Sequence, residues 1–189
     1  MDSTSGSSHE RQRVEKGHLP RLALEYYLGR NFIHWTLTVD QRATGWLTPA
    51  FHAQWQLTLL HASARYQLTC PAYVLMPDHV HVLWIGLSDD SNQRIAIEFL
   101  RKHLSPTLAP AKWQQQVHDH VLREHERERG AFQTVAQYIL ENPVRAGLAG
   151  SAPEYRFVGC CIPGYPELKV SQTDYWERFW RVYNFIVER

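Results

Sequence analysis

Cysteine is scarce in this chain: among 189 residues there are three, Cys70, Cys160 and Cys161. The number is odd and two are adjacent, which does not suit a disulfide framework, and no Cys-x-x-Cys pair offers a zinc site. A reducing cytoplasm is therefore the expected compartment. Long apolar runs are missing as well. Nothing approaches membrane-spanning length, the first 18 residues hold no apolar core of the signal-peptide kind, and no membrane partner is expected. An excess of one charge is also missing, since 20 Lys and Arg stand against 19 Asp and Glu for a net charge of +1. A strongly basic balance would have pointed straight to nucleic acid. Any such surface must instead come from local clusters: Arg101, Lys102 and His103; Arg123, Arg127 and Arg129; or Arg178 and Arg181. Each cluster on charge alone reads first as a solvated helix face. No internal repeat is visible.

What is present is the composition of a globular domain, 44% hydrophobic with 7 Trp, 9 Tyr and 7 Phe. Residues 1–18 read as a mobile tail, residues 19–160 as the main domain, and residues 161–189 as a C-terminal extension bearing an aromatic helix. Phe32 to Val39 reads as a strand. Thr48 and Pro49 give a cap and a first-turn proline for a helix to about Arg65, with Phe51, Trp55, Leu59 and Ala62 at helical spacing. Tyr66 to Met76 is a strand whose Pro71 suggests an edge or a bulge. A Pro77-Asp78 turn leads into the strand His79 to Ile85. Ile95 to Leu104 reads as a helix capped by Asp90 or Ser91, and Ser105 to Ala111 as a loop. Trp113 to Leu122 fits strand or helix. Arg123 to Arg129 is helical in type, with Gly130 interrupting before an amphipathic helix over Ala131 to Asn142. Tyr155 to Cys160 is a last strand, and Thr173 to Val187 a last helix packing through Trp176, Phe179, Trp180, Tyr183 and Ile186. The order predicts an α+β fold, an antiparallel sheet covered by helices.

Two features could carry chemistry. His79 and His81 lie two apart on a strand, so both rings face one side, about 6.6 Å apart along it. Val80, Val82 and Trp84 then face the core. A polar pair on an apolar strand costs burial energy unless something satisfies it, and one shared cation would. The pattern is weak alone, because the chain holds 11 histidines and a second pair, His118 and His120. On a helix that second pair would point apart; on a strand it competes with the first. Tyr138 and Asn142 share one helix face, four residues apart. Read plainly, Tyr138 is an amphipathic tyrosine with a wet hydroxyl, and Asn142 a helix-end residue before Pro143.

Taken in order, the segments YVLMPDHVHVLW, AKWQQQVHDHVLR and AQYILENPVRAGL resemble the single-tyrosine transposases of the HUH endonuclease superfamily, and within them the REP-associated tyrosine transposases. The resemblance spans about Phe32 to Cys160. It implies a ferredoxin-like sheet. It also implies that His79 and His81 bind a divalent metal and that Tyr138 is the nucleophile forming a 5′-phosphotyrosine. Asn142 falls at a third metal-ligand position, where relatives often use Gln and where Glu141 is a rival. The implied metal is Mg2+ or Mn2+, although imidazole ligands alone would favour zinc. The implied partner is single-stranded DNA beside a hairpin. Trp113, Arg123 and Arg145 are candidates to contact it, each reading equally well as a core tryptophan or a surface arginine. Mobile and domesticated enzymes, a non-catalytic DNA-binding regulator, and an unrelated zinc hydrolase using only the histidines are the alternatives. Monomer and homodimer both remain open, and the aromatic helix is expected to cover its own core.

Overall fold

The computed structural model of the protein describes residues 22–188; the tail expected over residues 1–18 lies outside the described residues. The chain enters strand β1 (Phe32–Thr38) and then helix α1 (Pro49–Arg65). Thr48 starts that helix by accepting a hydrogen bond from the Phe51 amide at 3.1 Å, with Pro49 at the first helical position. Strands β2 (Leu68–Leu75) and β3 (His79–Gly86) form a hairpin about Asp78. Helix α2 (Gln93–Leu108) leads to β4 (His118–Val121). The short α3 (Glu124–Arg127), then α4 (Arg129–Leu140) and α5 (Asn142–Arg145), precede β5 (Val158–Cys161) and α6 (Tyr175–Val187).

The five strands form one antiparallel sheet in the order β4-β1-β3-β2-β5. The first four in that order, with α1 and α2 as the crossovers, make the ferredoxin-like arrangement, and β5 adds an edge beside β2. Alternation along the strands sorts the side chains. Ile33, Trp35 and Leu37 of β1 and Val80, Val82 and Trp84 of β3 share one core with Trp55, Leu59, Leu100 and Leu104 of the two crossover helices. On the other side, Phe32, Val74, Leu83 and Ile85 meet Phe132, Ala136 and Ile139 of α4 and Phe179 and Trp180 of α6. The aromatic helix thus covers its own core, and residues 161–188 join the main domain through Ile162, Leu168 and Tyr175.

Several element boundaries differ from the sequence reading. β2 is not an edge, since it pairs with β3 on one side and β5 on the other, and the bulge alternative for Pro71 holds. Both registers shift around Pro71, so no ladder bond is required of the nitrogen that cannot donate. The bulge also reverses parity: Cys70 and Tyr73 point to the same core. Helix α2 is capped by Asn92, whose Oδ1 accepts from the Ile95 amide at 3.1 Å, while the buried Ser91 hydroxyl is tied to Gln67 and the Leu87 and Ser88 amides. It runs on through Pro106, because Leu104 and Leu108 are buried and hold its last turn against the sheet. Gly130 lies in the first turn of α4, a place where it interrupts nothing. Pro143 does end that helix, beginning α5 at its second residue.

Candidate active site

The polar side chains of the sheet gather on the α4 side. Cross-strand partners share a face, and the register sets His79 opposite Thr38, His81 opposite Thr36, His118 opposite Thr36 and His120 opposite His34. Beyond the apolar part of that face, the ends of β1, β3 and β4 therefore carry a polar field with five imidazoles.

Two of these rings are turned toward each other. Nε2 of His79 lies 3.1 Å from Nε2 of His81. The outer nitrogens are occupied. His79 Nδ1 is 2.6 Å from the Asp78 carboxylate, which can only accept, so this nitrogen carries a proton. His81 Nδ1 lies 3.0 Å from His34 Nε2 and 3.1 Å from Thr36 Oγ1, both able to accept. Burial, with the charges of His34, His79 and Arg145 adding to it, lowers the His81 pKa to about 3, so the ring is neutral at ordinary pH. His34 is held neutral as well, its pKa lowered to about 4 by burial and then by His120. Burial alone would raise Asp78, but the hydrogen bonds and charges of His79 and Arg42 outweigh it and hold its carboxyl below the ordinary value.

With Nδ1 of both rings donating, both Nε2 atoms carry lone pairs, which repel at such a distance unless a cation lies between them; with His81 Nδ1 accepting from Thr36 Oγ1, His81 Nε2–H donates to His79 Nε2 instead. A cation about 2.1 Å from two adjacent octahedral ligands sets them about 3.0 Å apart, so the observed separation fits a shared divalent ion. Carboxylate support of a ligating histidine is the usual arrangement behind a metal ligand. Among the described residues no group of three or more His, Cys, Asp or Glu side chains is placed to hold a metal ion.

Tyr138 lies on α4, which packs across β2 beside these strands. Its side chain is exposed, at 61%. The Arg145 guanidinium lies over its ring, 3.8 Å from the centroid, and donates to the Tyr138 carbonyl at 2.6 Å. The positive charge of Arg145 also contributes to lowering the His81 pKa. Asn142 turns its amide nitrogen back to the carbonyls of Tyr138 and Ile139, at 3.2 and 2.9 Å. Glu141 accepts from Gln137 on the outer side of the same turn. Arg123 is exposed before α3. Trp113 is buried against Trp46 in the core of the α1 side.

The second histidine pair does lie on a strand, on the same face of the sheet as the first. His118 and His120 are exposed on the edge strand, and His120 binds Glu126 at 3.0 Å. Most arginines of the basic clusters are engaged within the protein: Arg127 with Leu122 and Asn31, Arg178 with Glu167, Arg181 with Glu177. Sequence reasoning missed His34, Thr36 and Asp78. The signal was present, because His34, Thr36 and Thr38 alternate along β1 as the histidines do along β3.

The fold has a solved counterpart. A structure described as that of the REP-associated tyrosine transposase bound to a REP hairpin superposes with a TM-score of 0.62, at 18% identity, over 75% of this chain and 81% of the other. No family model matches the chain, and no curated protein matches it. Identity at this level establishes the shared fold. Among the described residues, no helix is long and apolar enough to cross a membrane.

Proposed function

We propose that the protein is a metal-dependent endonuclease and strand transferase that acts on single-stranded DNA at hairpin-containing sites through a covalent 5′-phosphotyrosine on Tyr138. The observation that carries this reading is the facing pair of Nε2 atoms on the sheet, beside the helix that presents an exposed tyrosine. The hairpin bound to the similar structure supports the choice of partner.

In this mechanism His79 and His81, oriented by Asp78 and by His34 with Thr36, would hold the cation, and Asn142 would be a third ligand. The cation, Mg2+ or Mn2+, supplies positive charge to offset the charge that develops on the phosphate oxygens. Arg145 positions the Tyr138 ring and brings a second positive charge to the same oxygens. The Tyr138 oxygen attacks phosphorus and its proton passes to solvent. The bond from phosphorus to the 3′-oxygen breaks, and that oxygen takes up a proton and leaves as a free 3′-hydroxyl. Because the phosphoester is conserved, a second 3′-hydroxyl can attack the phosphotyrosine, rejoin the strand and restore the phenol without ATP. Arg123 contributes to holding the DNA backbone.

The test uses end-labelled hairpin oligonucleotides with unpaired flanks, incubated with Mn2+. Wild-type protein is expected to cut them, chelator to stop it, and Tyr138→Phe to bind them without cutting. Cutting that survives Tyr138→Phe would replace this reading with hydrolysis at the histidine pair.

A further inference from the structure

A separate cavity of about 330 Å3 lies between α1, β5, the second half of α4 and the loop before α6. That volume is of the order that encloses a small ligand and far exceeds the roughly 30 Å3 of one water. Its chemistry is one-sided. Arg156 and Lys169 line it and no carboxylate does, although the chain as a whole balances its charges. Neither cation has a carboxylate partner among the described residues. They come from two walls, Arg156 from the segment before β5 and Lys169 from the loop before α6.

The rest of the lining suits a flat heterocycle. Tyr155, Pro153 and Val158 give apolar surface, and Gln56 and Gln137 give amides. The Tyr73 hydroxyl reaches the cavity, held by Gln56 at 3.2 Å and by His52 at 3.1 Å. It does so past Gly159, where a Cβ would stand 2.6 Å from that hydroxyl. Gln137 also lines the groove containing Tyr138, so the cavity and the tyrosine share a wall.

We propose that this cavity binds one nucleotide of a single-stranded nucleic acid, its base against the aromatic and amide walls and its phosphate between Arg156 and Lys169. The inference rests on the proposed function in placing that nucleotide near the phosphate attacked by Tyr138. It gives the site a means of choosing where along an unpaired flank the strand is held.

The experiment measures binding of the full-length protein to labelled hairpins whose unpaired flank carries an abasic site at each position in turn. Wild type is expected to lose about tenfold or more in affinity at one flank position, and Arg156→Gln with Lys169→Gln to weaken the intact flank while abolishing that position dependence. Loss of the one phosphate contact that both cations make should also lower the slope of log affinity against log salt by roughly 0.7. Mn2+ binding and the thermal midpoint should not change in the variant, which separates a lost pocket from a lost fold. Equal loss at every position, or unchanged binding by the double variant, would overturn the proposal. Capture of free dAMP, dGMP, dCMP or dTMP without flank dependence would assign the cavity to mononucleotides and overturn the strand assignment. A single sensitive position with no strand cutting would keep the cavity and remove the tyrosine chemistry.

Discussion

Nε2 of His79 and Nε2 of His81 face each other 3.1 Å apart. The arrangement is imposed from outside the pair. Asp78 fixes one ring through Nδ1, and His34 with Thr36 fixes the other. Each ring thus has its second nitrogen occupied and turns Nε2 to the other.

In the proposed reading the two rings hold a divalent cation. Titration with Mn2+, followed by its electron paramagnetic resonance signal, is expected to show one site. Replacing His79 or His81 with Ala should remove it. Asp78→Asn, which keeps the shape but loses the charge behind His79, should weaken it by about 10- to 100-fold. Mn2+ binding unaffected by these changes would place the ion elsewhere.

Stability should fall in mild acid. His34 and His81 have pKa values lowered from 6.5 to about 4 and about 3. As pH drops below 6.5 the unfolded chain takes up protons at these positions and the folded protein does not. Their contribution is complete above that pH and is lost as pH falls toward 4, by on the order of 3 kcal/mol for His34. Urea unfolding at pH 7, 5.5 and 4.5 should show this decline, and His34→Gln should flatten it. An equally steep decline in the variant would assign the effect to other groups.

The fold should be most sensitive where α4 meets α6. Phe132 is fully buried, with its ring 5.4 Å from Phe32 and 5.2 Å from Trp180. Phe132→Ala should cost about 3–5 kcal/mol, and Thr48→Ala, which removes the cap of α1, about 1 kcal/mol. Leu57→Ala, at a side chain 65% exposed, should change little. Chemical denaturation ranks the three, and a different order would contradict the packing described.

Much of this fold was legible because local chemistry and global pattern agree. Thr48 and Pro49 mark a helix start wherever they occur before apolar residues at helical spacing, and the alternation from His79 to Ile85 fits a strand with one covered face. The antiparallel α+β architecture follows from that element order. Other features depend on neighbours distant in sequence. Pro71 could be read as an edge or a bulge, and only the pairing of β2 with both β3 and β5 chooses between them. Pro106 stays helical because Leu104 and Leu108 are pulled inward by the sheet. His34 was passed over because its role lies across the sheet, 47 residues from His81. The polar alternation of β1 acquires meaning only once that strand is paired with β3.

Arg145 offers a test of how the tyrosine is held. Its guanidinium covers the Tyr138 ring and ties the helix end through the Tyr138 carbonyl. Arg145→Lys keeps the charge but loses the planar stacking and the forked donor. Strand cutting is expected to fall by about tenfold or more while Mn2+ binding is unchanged. Full activity in this variant would limit Arg145 to a surface contact.

The most direct measurement is the mass of the tryptic peptide Gly130–Arg145 after incubation of the protein with Mn2+ and a hairpin oligonucleotide, followed by nuclease trimming. The account predicts a peptide carrying a 5′-phosphorylated nucleotide on Tyr138, absent when chelator is added first. A cut strand with this peptide unmodified, or with the adduct on another residue, would contradict it.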